Sequence, residues 1–259
     1  MIRLNYIWRL HATGFCFITF SVGGLILAWV IIPAIGFLAR DKMRKRSAVR
    51  RVVQKSFVFF KWVMSGLGII EFDTAGAESY LKTQGGKIII ANHPSLIDVV
   101  MLISLMPQAD CIVKEALWRN PFFGRVIRSA GYIKNSGDVE ELIEQCAQSL
   151  KAGYSLIIFP EGTRTGRDGE LNLQRGASNI ALRCNTDMSP VFIHCTPTTL
   201  TKSDRWYSIP PRKVLFTVRV GKPFDITHIR HLDSSFSLRA RQLTRYMKNY
   251  FVEGLKSYE

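Results

Sequence analysis

Lys87-Ile88-Ile89-Ile90-Ala91-Asn92-His93-Pro94-Ser95-Leu96-Ile97-Asp98-Val99-Val100 decides the reading of this chain. A short apolar run bounded by polar turn residues predicts a buried strand over 87–91, and 99–105 predicts a helix. Between them lie a histidine and a carboxylate five positions apart. Five residues turn a helix through about 500°, so two helical side chains at this spacing would point apart. They meet only if His93 lies outside the helix. Pro94 suits a first helical position and disfavours helix at the residue before it. His93 is therefore expected on the turn and Asp98 in the first turns of the helix, facing back. A carboxylate on one imidazole nitrogen fixes the tautomer and leaves the other nitrogen as a general base.

Spacing alone does not single out this pair, because His228 and Asp233 share it. That second pair has no apolar strand before it and no proline after the histidine, and it reads as a coincidence in a surface segment. A second stretch supports the first. Leu156-Ile157-Ile158 predicts another buried strand, followed by Phe159-Pro160-Glu161-Gly162-Thr163-Arg164-Thr165. Gly162 and Thr163 are expected to turn N–H groups toward an anion, and Arg164 to grip a phosphate with its planar fork. Glu161 would repel an anionic ligand unless it orients Arg164 or holds the loop. Lys114, at the end of another predicted strand, and Arg175-Gly176 could add positive charge.

From Glu71 onward strand-like and helix-like segments alternate. This predicts an α/β fold: a single mixed sheet flanked by helices, with an N-terminal apolar helical membrane segment. Val139, Leu142, Ile143, Cys146 and Leu150 form one stripe of a helix over 138–152. Residues 234–256 predict an amphipathic helix whose Arg239, Arg241, Arg245 and Lys248 read as a solvated face.

The N-terminal part differs in character. The 259-residue chain carries a formal charge of +15 and a mean hydropathy of +0.08. Residues 1–70 hold eleven Lys/Arg against one acid, whereas 71–259 hold 24 against 19. Phe15 to Leu38 has no charged residue and is long enough to cross a bilayer as a helix. Two basic residues precede that run and eight follow it closely: Arg40, Lys42, Arg44, Lys45, Arg46, Arg50, Arg51 and Lys55. That asymmetry predicts a cytoplasmic C-terminal side, and the cluster predicts contact with anionic lipid head groups. Residues 57–70 fit an interfacial helix and an ordinary core helix equally well. Together the two stretches also fit one hairpin dipping into a single leaflet. The division expected is 1–70 as membrane anchor and 71–259 as the α/β domain.

Several classes are poorly supported. Aromatic-basic interleaving and nucleic-acid motifs are missing, so lipid is preferred over nucleic acid as the basic segment's partner. Cys16, Cys111, Cys146, Cys184 and Cys195 are scattered, as reduced cytosolic thiols are. No serine-hydrolase elbow, Walker loop or dinucleotide glycine pattern occurs.

The two stretches together resemble the glycerolipid acyltransferase family, which includes lysophosphatidic acid acyltransferases. Its first motif, Asn-His-x4-Asp, is matched by Asn92, His93 and Asp98. Its third, Phe-Pro-Glu-Gly-Thr-Arg, is matched from Phe159 to Arg164. Lys114-Glu115, Pro121 to Gly124, Arg175-Gly176-Ala177 and Pro190-Val191 add to the resemblance, which covers roughly residues 85–200. The second motif departs: Gly131-Tyr132-Ile133-Lys134 lacks the family's phenylalanine and arginine, leaving Lys134, Arg125 or Arg128 as substitutes. The resemblance implies a membrane-bound O-acyltransferase needing no cofactor or metal. His93 and Asp98 would be catalytic. Asn92, Lys114, Glu161, Gly162, Thr163 and Arg164 would bind substrate. Acyl-CoA or acyl-carrier protein would be the donor and a lysophospholipid such as 1-acylglycerol-3-phosphate the acceptor, at the cytoplasmic face of an inner or plasma membrane. Alternatives are another acceptor (a glycolipid, aminolipid or hydroxyacyl chain) and a catalytically silent lipid-binding protein.

Overall fold

The computed structural model describes residues 2–39, 41–166 and 168–257. Arg40 and the side chain of Arg3, both counted in the charge asymmetry, lie outside the described residues.

An N-terminal rod comes first: α1 (Ile2–Ile26), one π-helical turn (Leu27–Ile31) and α2 (Ile32–Leu38). Leu4–Leu38 is long and apolar enough to cross a membrane. The chain reverses at Asp41, whose carboxylate accepts the Arg44 N–H and caps α3 (Lys42–Gly66). Next come β1 (Ile70–Asp73), α4 (Ala77–Thr83), β2 (Ile88–Ala91), α5 (Asp98–Leu105), β3 (Ala109–Lys114), α6 (Glu115–Trp118), α7 (Gly124–Ala130) and β4 (Ile133–Asn135). The chain ends with α8 (Val139–Lys151), β5 (Ser155–Ile158), α9 (Gly176–Arg183), β6 (Met188–Thr196), β7 (Val214–Val220), α10 (Thr227–Arg230) and α11 (Phe236–Lys256).

The seven strands form one sheet in the order β1-β7-β6-β2-β5-β3-β4. All neighbours are parallel except β6 and β7. This is the mixed sheet expected. Alternate residues of the buried strands feed two apolar layers. Ile89, Ala91, Ile157, Val191 and Ile193 face the layer that takes α3, α5 and α7. Ile88, Ile90, Leu156, Ile158 and Phe192 face the layer closed by α8, α9 and α11.

The N-terminal hairpin packs on the first layer. Ala12, Cys16, Ala28 and Ile32 from the rod join Val49, Val53, Phe60 and Met64 from α3 in its core. Residues 57–66 thus settle as a helix with two faces. Phe60 and Met64 are core, whereas Phe59 and Trp62 remain exposed.

Two of the basic residues expected at lipid point inward instead. Arg46 and Arg50 each reach Asp110 Oδ2 at 2.8 Å. Ser149 Oγ donates to the same oxygen at 2.6 Å. Arg46 also donates to the Gly131 carbonyl and Arg50 to that of Ala130, and both lie over the Tyr154 ring. Asp110 is fully buried on β3, and a buried carboxylate demands cations. A helix carrying Arg46 and Arg50 one turn apart supplies them. The lipid-facing assignment is therefore corrected for these two residues.

Candidate active site

The register of the central strands builds the site. β2 and β5 run side by side with Ile90 opposite Ile158. Three residues beyond each partner come His93 and Glu161, so the two loops leave the carboxyl edge of the sheet opposite each other. In open α/β sheets ligand sites form at that edge. His93 N–H donates to Glu161 Oε1 at 2.8 Å, and Thr165 N–H donates to the His93 carbonyl at 2.8 Å. The loops expected to meet do meet, stitched through the backbone of the histidine.

His93 Nδ1 lies 2.7 Å from Asp98 Oδ2. An ionised Asp98 favours the proton on that nitrogen, which leaves Nε2 as the acceptor. Ser95 N–H donates to the same Oδ2 at 2.8 Å, and Asp98 Oδ1 has no partner. Burial pushes the Asp98 carboxyl up from its ordinary 3.8 to about 6, against the pull of His93 and the Ser95 N–H. The imidazole stacks on Phe159 with ring centroids 4.2 Å apart. One detail of the expectation is corrected. Pro94 is not the first helical residue; α5 begins at Asp98. Ser95 to Ile97 form an intervening turn that the Asp98 carboxylate itself closes by accepting the Ser95 N–H.

Asn92 is a buried clamp. Its Nδ2 donates to the Ile193 carbonyl at 2.7 Å, and its Oδ1 accepts the Ile193 N–H at 2.8 Å. The side-chain amide replaces one step of the β2–β6 ladder just before His93. With both ends occupied, it positions the histidine and is not free for a ligand.

In the second loop Glu161 takes the loop-holding role of the two considered. Beyond the His93 N–H, it accepts the Thr165 hydroxyl at 2.9 Å. Only 6% exposed, its carboxyl is raised by desolvation. Gly162 has φ +67°, a conformation that resists a side chain. Its N–H donates to the Phe159 carbonyl at 3.0 Å. The expectation that this N–H faces an anion is therefore corrected: the turn consumes it. Thr163 is exposed beside it. Arg164 Nη1 donates to the Leu200 and Thr201 carbonyls at 2.8 and 2.9 Å, which holds the guanidinium near Asp98; its other nitrogens have no hydrogen bond among the described residues. Lys114 is exposed at the end of β3, at the same edge of the sheet but beyond β5.

The substitutes proposed for the second-motif arginine are engaged elsewhere. Lys134 Nζ reaches Glu115 at 3.1 Å, Arg128 donates to the Trp118 carbonyl, and Arg125 lies over Trp29. Gly131 of that motif has φ +66°, and Arg46 lies where a Cβ would go. His228 and Asp233 form no bond among the described residues.

Phe159 under the imidazole and Thr165 across the loop belong to the second stretch but had no role assigned from it. The Leu200–Thr201 segment was missed altogether. The Leu200 carbonyl also accepts the Leu96 N–H at 3.1 Å, so this loop braces both motifs. Its residues, Thr198-Thr199-Leu200-Thr201, carry no sequence signal of that role.

The chain is similar to known proteins. Residues 73–194 match a family model described as Acyltransferase. The 1-acyl-sn-glycerol-3-phosphate acyltransferase of Helicobacter pylori (strain J99) is 34% identical over 116 residues, 42% of this chain and 48% of that protein. A coconut (Cocos nucifera) protein of the same name is 30% identical over 143 residues, 52% and 45%. The matches thus span about half the length of these relatives. The crystal structure of the 1-acyl-sn-glycerophosphate (LPA) acyltransferase PlsC from Thermotoga maritima superposes with a TM-score of 0.66 at 24% identity, over 99% of this chain and 98% of that one. At that identity the likeness speaks for the fold. Residues 73–194 are thus similar to the acyltransferase family, and the whole chain shares the fold of that solved structure.

Proposed function

We propose that the protein transfers a fatty acyl group from an acyl thioester, acyl-CoA or acyl-carrier protein, to a hydroxyl of a lysophospholipid of the 1-acylglycerol-3-phosphate type. The observation that carries this is the His93–Asp98 contact at 2.7 Å beside a loop presenting Thr163 and Arg164. His93 Nε2 takes the proton of the acceptor hydroxyl while that oxygen attacks the thioester carbonyl. Asp98, accepting the Nδ1–H, stabilises the imidazolium. As the tetrahedral intermediate collapses, the C–S bond breaks and the imidazolium returns the proton to the thiolate. The Thr163 N–H and the remaining arms of Arg164 hold the acceptor phosphate, with Lys114 adding charge at the rim. Asn92 and Glu161 keep His93 in place.

Residues 1–70 act in this reading as the membrane anchor, with the catalytic domain on the cytoplasmic face. The rod bears exposed Trp8, Phe15, Ile18, Val22, Trp29 and Phe37, and α3 adds Phe59 and Trp62. Its other side is held to the domain along its length. Arg9 donates to the Pro210 and Pro211 carbonyls, Phe20 packs on Phe123, and Ile32 is core. A rod fastened this way favours entry of the exposed face into one leaflet.

Purified His93→Ala should lose thioester release by about 10²–10⁴-fold while still floating with vesicles. Activity within a few fold of the unsubstituted protein would remove His93 as the base. A panel of acceptors with different head groups identifies the second substrate.

A further inference from the structure

Arg175, Arg241, Arg245 and Lys248 surround a hollow of about 240 Å³ whose remaining walls are Asn172, Leu173 and Thr244. No Asp or Glu lines it, and none of the four cations is paired among the described residues. Arg241, Arg245 and Lys248 stand at i, i+4 and i+7, on one face of α11. They cover about 10 Å of helix, room for more than one phosphate. The Ser178 and Thr244 hydroxyls, 2.7 Å apart, lock α9 to α11 beneath them. Four like charges gathered on a rigid frame repel one another unless an anion is shared among them.

The hollow adjoins the site described above. Gln174, the residue before Arg175, donates its N–H to the Pro160 carbonyl at 2.7 Å, and its Cγ lies 3.8 Å from where a Cβ on Gly162 would be. It is nonetheless separate from the His93 loops. Its walls include no residue of 92–98 or 159–165, so it suits a part of a substrate remote from the reacting centre. In a lysophospholipid of this type the phosphate is a few bonds from the reacting hydroxyl, so it must bind beside His93. In a coenzyme A thioester the phosphates stand a long pantetheine arm away from the reacting carbonyl. We infer that this hollow binds the phosphorylated nucleotide end of a coenzyme A donor. The inference rests on the acyl-transfer reading above but keeps its own test.

The test is Arg241→Ala/Arg245→Ala, both exposed positions, with Arg241→Lys/Arg245→Lys beside it. Calorimetry with coenzyme A and with dephospho-coenzyme A measures binding directly. The alanine pair is expected to weaken coenzyme A binding and raise the KM for long-chain acyl-CoA by at least about 10-fold, with kcat and the acceptor KM unmoved. The lysine pair should recover part of both. Coenzyme A affinity and donor KM within about 2-fold of the unsubstituted protein would overturn the inference. So would failure of the unsubstituted protein to bind coenzyme A. Loss confined to phosphatidylglycerol vesicles, or to acyl-carrier protein as donor, would overturn it in favour of those partners. Absence of turnover by the unsubstituted protein would sink the acyltransferase reading and leave the calorimetry decisive for the hollow.

Discussion

Asp98→Asn should separate activity from stability. At about 4 Å and an effective dielectric near 20, opposite unit charges attract by about 4 kcal/mol. The Asp98–His93 contact at 2.7 Å makes this the scale on which the carboxylate stabilises the imidazolium. Losing it should lower kcat/KM by about 10³-fold. Stability should respond differently. Burial raises the Asp98 pKa from 3.8 to about 6, so the native state binds a proton more readily than the unfolded chain. The sign follows: native stability falls as pH rises from about 4 to 6, and the ionised carboxylate costs about 3 kcal/mol above that range. Asparagine removes the charge. Its oxygen can accept both the His93 and Ser95 N–H groups, and its NH2 must then occupy the partnerless Oδ1 position, at about 1–3 kcal/mol. The balance leaves the variant at pH 8 between unchanged and about 2 kcal/mol more stable. Thioester release with a thiol reagent gives the rate, and denaturant unfolding in detergent gives the stability. A variant within about 10-fold of full activity, or one destabilised by more than about 2 kcal/mol, would refute this account of the pair.

Three more outcomes follow from the same contacts. The kcat/KM profile should fall as pH drops through about 6, because a proton on Asp98 removes the acceptor of the His93 Nδ1–H. Glu161→Ala should cost about 2–4 kcal/mol by orphaning the His93 N–H and the Thr165 hydroxyl; Glu161→Gln, which keeps an acceptor, should recover most of the thermal stability and activity. Asp110→Ala should cost about 3–5 kcal/mol by stranding Arg46 and Arg50, read as a lowered melting temperature and faster proteolysis between α2 and α3. An unchanged proteolysis pattern would mean that this network does not hold the N-terminal hairpin.

Much of the fold was legible because periodicity is a local property. The runs at 88–91 and 156–158 became central strands, and Asp138, read as the start of a helix, caps α8 with its carboxylate. β1 and β4 were missed. Each is only three or four residues long and gains its strand character from its sheet neighbour. The arginines after the rod were misjudged for a related reason. A run of cations looks like a lipid contact until a buried acid 60 residues on is placed beside it, and Asp110 offers no sign in sequence that it will be buried.

By itself the sequence picked out the candidate site residues, the turn that frees His93 from a helix, and the α/β class, because each depends on neighbours within a few positions. The tertiary structure decided which of those residues are committed to hydrogen bonds within the fold. Asn92, Glu161 and the Gly162 N–H proved committed to β6, His93 and Phe159, and a mute segment around Leu200 proved to brace both loops. Hydrogen-bond partners and burial are set by strand register, Ile90 against Ile158 above all, and register is a relation between distant segments.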